Sequence, residues 1–490
     1  MGAQVSLLCC RGDPQVQEER VIDHLKRGDH AESACRSLHA MLTRDGALAP
    51  QLVRQGAVQP LQKVVMDASS GSRARKDALE TLALLALCYE GAMLVANPEF
   101  VSKAAKLLVS SGGGVRQRVG LNHYDLGVAK CLGAAAGDRH ASKALLDAGG
   151  AAPAVALAGS PRGKVSMAGL QLLSRLADSR AAAAAIVEQF GAKQLAALLM
   201  LRFQAFTKKE DVDGSRAACF AIARVGQSEE FGIALARMEE GGLELIVQEI
   251  RREVPVVRSA AGYTLAVLGQ HKHLRLQLIK KRCLQAFVDM AHTTSQRRDY
   301  ADCQRVAALG FVNLCSTYHF RLAGAKAGVL DAIIVLLKAD AMDVRRGAAQ
   351  ACAQLSLVEE NSRRMCFGGA LPPLFAMARS GDRATEREGI LALDALSLST
   401  ENQQHMVREG LVHVLQYLAS SDDGAASRTA SKIMSRIRQE RLRHAARMAT
   451  KVKGVALSLG IGSDDGPQGD PQEANAGGGA RAPEMDVRRQ

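Results

Sequence analysis

AGVLDAIIVLLK (327–338), GGALPPLFAMAR (368–379) and EGLVHVLQYLAS (409–420) are three versions of one element, and their repetition decides the fold. Each has a glycine followed by a small or aliphatic residue and then an apolar run at helical spacing. Gly328, Gly369 and Gly410 are equally spaced along the chain. Earlier copies stand at 149–160, 190–201 and 241–252, with anchoring glycines Gly150, Gly191 and Gly242, and further units lie at 56–67, near Phe100 and near Arg282. This regular period predicts an array of structural repeats.

Two further helical patterns complete each repeat. A second apolar helix follows a turn, as in DVRRGAAQACAQLSL and ATEREGILALDALSLS. A short polar helix then leads to the next glycine, as in ENQQHMVREG. Three helices in a period of about 41 residues are typical of HEAT and armadillo solenoids.

The glycine before the second helix and the A-L-x-x-L-S-like third helix resemble armadillo repeats, over roughly residues 40–450. The resemblance implies an all-α, right-handed superhelical armadillo solenoid of about nine three-helix repeats. The repeated glycine would allow a sharp change of direction between two helices. A plain C-cap glycine is the alternative interpretation for any single one of them.

Four segments follow from the composition along the chain. Residues 1–12 precede Asp13-Pro14, which has the pattern of an N-cap with proline at the first helical position. Residues 13–45 are predicted to form capping helices, and 46–453 the armadillo solenoid. Residues 454–490, rich in glycine, proline and acidic residues, are predicted to be a disordered tail. Insertions at 110–125 and 203–215 are expected to lengthen connections between second and third helices.

The N-terminal stretch MGAQVSLLCC matches the M-G-x-x-x-[ST] pattern for N-myristoylation, with Gly2 as acceptor and Ser6 at the final position. One myristoyl chain gives only reversible membrane binding, so palmitate on Cys9 and Cys10 would make the attachment stable. The sequence therefore predicts a lipid anchor at Gly2, Cys9 and Cys10. The alternative is a coincidental Met-Gly start followed by two ordinary cysteines.

Composition argues against several classes of protein. The net charge is +13, aromatic residues are 3 % and tryptophan is absent, so the basic balance lacks the aromatics and motifs of nucleic-acid binding. No P-loop, dinucleotide fingerprint or nucleophile elbow occurs, and no cysteine or carboxylate cluster completes a metal site with His271 and His273. We expect that the protein is not an enzyme and that it binds no cofactor, metal or small-molecule substrate. Cys88, Cys219, Cys315 and Cys352 fall in apolar helical patterns and are expected to be small buried hydrophobes. No apolar run reaches the length of a transmembrane helix.

The armadillo resemblance implies that the third helices line a concave groove, in which peptide-binding members carry a ladder of asparagines. Aligned on that pattern, the chain has Asn313 at the ladder position of GFVNLC. The other aligned positions, which together with Asn313 we call the ladder row, are Arg175, Arg224, Val267, Gln354, Ala395 and Arg436. Phe220 and Tyr263 replace the tryptophan found four residues before the asparagine in nuclear-import receptors. The arginines favour protein partners with acidic segments, unless they pair with carboxylates of neighbouring repeats.

The last predicted helix, SKIMSRIRQERLRHAARMATKVK (431–453), carries a basic face and an apolar stripe. Its simpler interpretation is a closing helix of the solenoid. The alternative is a second contact with anionic lipid.

An acylated N-terminus followed by armadillo repeats resembles the fungal vacuolar armadillo protein and the apicomplexan armadillo-repeats-only protein. This resemblance implies a scaffold that recruits partner proteins to the cytoplasmic face of a membrane, either a vacuole, a secretory organelle or the plasma membrane. Two other hypotheses remain open at this stage. One is a soluble armadillo adaptor of the ciliary or nuclear-transport type, and the other is a regulatory subunit of a signalling enzyme.

Overall fold

The computed structural model describes residues 14–458 except 29, 68, 111–117, 240, 294–297 and 421–422. The predicted lipidation sites Gly2, Cys9 and Cys10 lie outside the described residues, as does most of the predicted tail. The chain divides into two compact units, Met1–Ile433 and Met434–Gln490.

The first unit begins with two helices, α1 (Pro14–Arg27) and α2 (Ala31–Arg44). Within the described residues, the helices that follow fall into nine consecutive groups of three. These are α3 (Ala49–Arg54), α4 (Val58–Met66), α5 (Ser72–Leu85); α6 (Tyr89–Val95), α7 (Pro98–Ser110), α8 (Arg118–Ala135); α9 (Arg139–Asp147), α10 (Ala151–Ala158), α11 (Gly163–Leu176); α12 (Arg180–Phe190), α13 (Ala192–Lys208), α14 (Val212–Val225); α15 (Glu229–Ala236), α16 (Gly242–Glu249), α17 (Pro255–Leu268); α18 (Lys272–Lys280), α19 (Cys283–Ala291), α20 (Arg298–Leu314); α21 (Tyr318–Lys326), α22 (Val329–Leu337), α23 (Met342–Leu355); α24 (Glu359–Met365), α25 (Leu371–Ala378), α26 (Arg383–Leu396); and α27 (Thr400–Arg408), α28 (Leu411–Ala419), α29 (Gly424–Ser458).

The start of the second helix in a repeat is marked by left-handed or positive-φ backbone, which favours glycine. The glycines with this geometry are Gly56, Gly149, Gly191, Gly241, Gly328, Gly369 and Gly410, with φ between 70° and 100°. In the divergent repeat Arg282 takes the same place with φ 60°. The register predicted from sequence is therefore correct, including the unit near Arg282.

At two glycine pairs the predicted anchor is wrong by one residue. Gly149 and Gly241 have the positive φ, whereas Gly150 and Gly242 do not. The first glycine of each pair follows the preceding helix, and the second lies at the start of the next one. Gly150 is needed for close packing instead, because a Cβ there would lie 2.6 Å from the carbonyl oxygen of Leu145.

From α5 to α26 the third helices form a continuous stack, in which each one packs against the third helix before it. Polar side chains also join neighbouring repeats. Between third helices, the buried Thr264 hydroxyl on α17 lies 2.9 Å from the carbonyl oxygen of Cys219 on α14. Between first helices, the buried Asn402 amide on α27 donates to Ser362 Oγ on α24 at 2.8 Å. Apolar helix faces and these hydrogen bonds together fix the orientation of successive repeats.

The insertion at 203–215 does not form the longer connection that the sequence predicted. Helix α13 continues to Lys208 because Phe203 and Phe206, three residues apart, are both buried. Asp211 then caps α14 by accepting a hydrogen bond from the Gly214 amide at 2.9 Å. The other insertion, at 110–125, falls partly in α8, and residues 111–117 lie outside the described residues.

The cysteines behave largely as small apolar residues. Cys219, Cys315 and Cys352 are buried as predicted, while Cys88 is half-buried and donates to the carbonyl of Leu85 at 3.1 Å. Within the described ranges no single helix is long and apolar enough to cross a bilayer. The consecutive helices Arg180–Phe190 and Ala192–Lys208 together have the length and apolar composition of such a span, but the chain bends by 99° between them.

The second unit is described as far as Ser458 and contains the C-terminal part of α29. Its side chains described between Arg441 and Lys451 are all exposed. Leu442 is 64 % and Met448 49 % exposed, among the arginines of this helix.

Candidate protein-binding groove

A cavity of about 540 Å³ lies on the third helices α17, α20, α23 and α26. We call this surface the third-helix groove. Its lining residues are Tyr263, Arg305, Val306, Leu309, Val312, Asp343, Arg346, Gly347, Gln350, Ala384, Arg387 and Glu388. A second cavity of about 550 Å³ lies elsewhere, against α9, α12 and the end of α11.

The floor of the third-helix groove is apolar. Tyr263 projects from α17, and Val306, Leu309 and Val312 from successive turns of α20. The Tyr263 ring also contacts Phe220 of α14, with ring centroids 5.7 Å apart at 48°. The two aromatic residues singled out from the sequence thus lie side by side, and Tyr263 reaches the cavity. Such a floor suits apolar side chains of a protein ligand.

Arginines recur along the groove at the period of the repeats. Arg305 on α20, Arg346 on α23 and Arg387 on α26 are spaced exactly one repeat apart and all line the cavity. Arg428 on α29 continues the spacing, and its Nε donates to the carbonyl oxygen of Gly424 at 2.9 Å. We call these four residues the arginine row. Equivalent positions in stacked repeats face the same surface, so the row follows the groove.

Two members of the arginine row are paired with carboxylates. Arg305 bonds to Asp302 on its own helix and to Asp343 on α23. The hydrogen bond to Asp343 is the largest influence on the pKa of Arg305, which is raised. Partial burial acts to raise the pKa of Asp343, but the hydrogen bond and charge of Arg305 outweigh it, so that this pKa is lowered. The Arg305–Asp343 pair joins one third helix, α20, to the next, α23.

Arg387 has a similar arrangement further along the groove. Its Nη2 lies 3.4 Å from Oδ2 of Asp423, whose side chain is 8 % exposed. A backbone hydrogen bond from Ala425 is the main reason that the pKa of Asp423 is lowered, and the charge of Arg387 acts in the same direction.

Two members of the ladder row bond to the preceding third helix. Asn313 Nδ2 donates to the carbonyl oxygen of Ala266 at 2.8 Å. Arg175 Nη1 donates in the same way to the carbonyl oxygen of Gly133 on α8. Gly133 and Ala266 occupy equivalent places in their helices. These donors are already engaged within the chain, so they are less available for the backbone of an extended ligand.

The remaining ladder positions are spread over different environments. Arg224 is half-buried on α14. Gln354 is half-buried on α23, and its Oε1 is buried without a hydrogen-bond partner in the described structure. Arg436 belongs to the second unit and is half-buried on α29.

Sequence reasoning missed the arginine row. The signal was present, because the regular spacing that links Gly328, Gly369 and Gly410 also links the four arginines. The sequence prediction of groove residues was based on the asparagine-ladder position. That position lies near the C-terminal end of each third helix, whereas the arginine row lies nearer the N-terminal end.

The sequence matches no protein-family model and no curated protein significantly. Solved structures match its fold. An engineered protein determined by the Northeast Structural Genomics Consortium has a TM-score of 0.67 and 22 % identity, over 86 % of this chain and 98 % of that chain. A chain from a structure concerned with the phosphorylation switch between cadherin and β-catenin has a TM-score of 0.57 and 15 % identity, over 88 % of this chain and 85 % of that chain.

A designed armadillo repeat protein in complex with the peptide (KR)4 aligns over 49 % of this chain and 98 % of that chain, with a TM-score of 0.43 and 16 % identity. The fold of this chain is an all-α armadillo solenoid, as its repeated sequence element predicted.

Proposed function

We propose that this chain is a membrane-anchored armadillo scaffold that binds partner proteins in its third-helix groove. The groove is the observation that carries the binding role. Its floor of Tyr263, Leu309 and Val312 offers apolar surface, and arginines flank that floor. Buried apolar contacts with a few placed charges are the usual means of specific protein recognition.

The residues that line the groove favour binding over catalysis. They include arginines, carboxylates and one glutamine, but within the described chain none of them is a serine, cysteine or histidine. Arg305 and Asp343 form an ion pair with each other, which indicates that these two side chains stabilise the fold and do not act on a substrate. We therefore propose a non-enzymatic adaptor.

Membrane attachment rests on Gly2, Cys9 and Cys10 and is supported by the basic part of α29. Two lipid chains give stable anchoring where one does not. The exposed Leu442 and Met448 lie among basic residues, which suits contact with an anionic membrane surface. Confinement to a surface raises the effective concentration of partners around the groove. The proposed location is the cytoplasmic face of a vacuole, a secretory organelle or the plasma membrane.

The anchor is tested by localising a C-terminally tagged chain beside its Gly2→Ala and Cys9→Ser/Cys10→Ser variants. We expect the wild type on a membrane and both variants in the soluble fraction. If all three behave alike, the N-terminal motif is a coincidence and the chain is a soluble adaptor.

The groove is tested by affinity purification of the full chain and its Leu309→Gln variant, with partners quantified by mass spectrometry. Leu276→Gln is the matched control, because Leu276 is 51 % exposed on the first helix α18 and lies outside the groove lining. We expect partners to be lost from Leu309→Gln and kept by Leu276→Gln. Unchanged partners in both variants would contradict the groove as a binding site. Stoichiometric recovery of one signalling enzyme would instead identify a regulatory subunit.

A further inference from the structure

In the arginine row, Arg305 and Arg387 each pair with a carboxylate of the next repeat, whereas Arg346 does not do so among the described residues. Arg305 on α20 pairs with Asp343 on α23. One full repeat later, the equivalent residues are Arg346 on α23 and Ala384 on α26. Ala384 lacks the carboxylate that would complete the second pair, and it lines the cavity together with Arg346.

Arg346 has no carboxylate partner in the described part of the chain. Neither Asp343 nor Glu388, the two carboxylates of the cavity lining, forms an ion pair with its guanidinium within 4.0 Å. The nearby Asp382 feels the charge of Arg346 but is occupied as the cap of α26. Its Oδ2 accepts hydrogen bonds from the Thr385 amide at 2.9 Å and from the Thr385 hydroxyl.

A half-buried guanidinium beside an apolar floor has several donors to satisfy. Hydrogen bonds between arginine and carboxylate are among the strongest in proteins, and they gain strength where water is excluded. The other cavity arginines have carboxylate partners within the chain, Arg305 in two aspartates and Arg387 in Asp423. Among the arginines that line the cavity in the described structure, Arg346 is therefore the one without a carboxylate partner.

We infer that Arg346 binds a carboxylate of the partner, which occupies the place that the Asp343 carboxylate holds one repeat earlier. Apolar residues next to that carboxylate in the partner then fill the cavity over Leu309 and Val312. The ligand class is a protein segment that combines an aspartate or glutamate with apolar side chains. This inference rests on the proposed function of the groove and names the chemistry of its partner.

The most direct test supplies the missing carboxylate within the chain. In Ala384→Asp the new side chain is placed to pair with Arg346 and so to exclude an acidic ligand. Ala384 is the second residue of α26, where an acidic residue favours the helix dipole, so the fold tolerates the change. Ala181→Asp is the matched control, since Ala181 is the exposed second residue of another helix, α12, and is not part of the lining of the third-helix groove.

The probe is a phage-displayed library of short random peptides, selected on the full wild-type chain. We expect the selected peptides to combine Asp or Glu with apolar residues. Their affinity should fall at least about tenfold in Ala384→Asp and in Arg346→Gln, and stay within about twofold in Ala181→Asp. Glu388→Gln removes from the cavity a negative charge that repels the carboxylate of the peptide, so this variant should bind the same peptides more tightly.

The outcomes separate this inference from the function on which it rests. Peptides that lose binding in Leu309→Gln but bind Ala384→Asp as well as the wild type would overturn the role of Arg346 and leave the groove in place. Selected peptides in which Asp and Glu are not enriched would also overturn the role of Arg346 and leave the groove in place. If no selected peptide depends on Leu309, the groove proposal falls together with the inference.

Discussion

At the scale of single residues, backbone geometry explains why the repeat is visible in the sequence. Gly328, Gly369 and Gly410 have φ of 88°, 98° and 100°, values that a residue with a Cβ adopts only at an energetic cost. The sequence could therefore reveal the register of the repeats. It could not decide between Gly149 and Gly150, because that choice depends on how closely the second glycine approaches the Leu145 carbonyl.

Arg282 departs from this rule, with φ 60° at the place where seven of the other repeats have a glycine of positive φ. Replacing Arg282 by glycine relieves the strain, and part of the gain is offset by the freedom of glycine in the unfolded chain. We expect Arg282→Gly to raise the free energy of unfolding by about 0.5–1 kcal/mol, measured from the midpoint of urea unfolding. Gly410→Ala is the converse variant and should lower that energy by about 1–2 kcal/mol. Loss of stability in Arg282→Gly would contradict this account.

Buried thiols provide a second test at this scale. Burial raises the pKa of Cys131 and of Cys352 to about 12. The folded state therefore holds these protons more tightly than the unfolded state, whose thiols have a pKa near 9.0. Their contribution to stability is complete below that pKa and is lost as the pH rises from there toward 12. We expect both thiols to resist iodoacetamide at pH 8.5 in the folded chain and to react in guanidinium chloride. Rapid labelling of Cys352 in the folded protein would contradict its burial.

At the scale of helices, the third helices carry the contacts between repeats. Periodicity predicted these helices well because their apolar faces are regular. It failed at 203–215, where polar residues around Phe203 and Phe206 suggested a connection although both rings are buried in α13. The hydrogen bonds between repeats also could not be foreseen, since they join residues a whole repeat apart in the chain, as in Thr264 with Cys219 and Asn313 with Ala266.

Two equivalent threonines give a matched test of the contacts between third helices. Thr264 Oγ1 lies 2.9 Å from the Cys219 carbonyl oxygen of the preceding third helix, whereas Thr81 Oγ1 lies 3.5 Å from the carbonyl oxygen of Cys35. Both residues stand four positions before the end of their helix and both are fully buried. We expect Thr264→Val to lower the free energy of unfolding by about 1 kcal/mol and Thr81→Val by less, in urea titrations. Equal effects would mean that the contact between the helices contributes nothing.

At the scale of the whole molecule, the third helices α17, α20, α23 and α26 together form the surface that we propose for partner proteins. The sequence identified Tyr263 on that surface and the adjacent Phe220, because aromatic residues are rare in this chain and fall at the expected helix position. It did not identify the cavity, since that space depends on how four successive third helices are spaced. Nor could the sequence show which arginines of the groove pair with carboxylates, because that depends on where Asp343 and Asp423 lie in the folded chain.

Photo-crosslinking in cells shows whether a partner protein occupies the third-helix groove. The full-length chain carries benzoylphenylalanine in place of Leu309, or in place of Leu276 as the control outside the groove. We expect a discrete crosslinked protein from position 309, lost when Ala384→Asp is added, and no such product from position 276. Equal crosslinking from both positions, or none from position 309, would show that the groove is not the binding site.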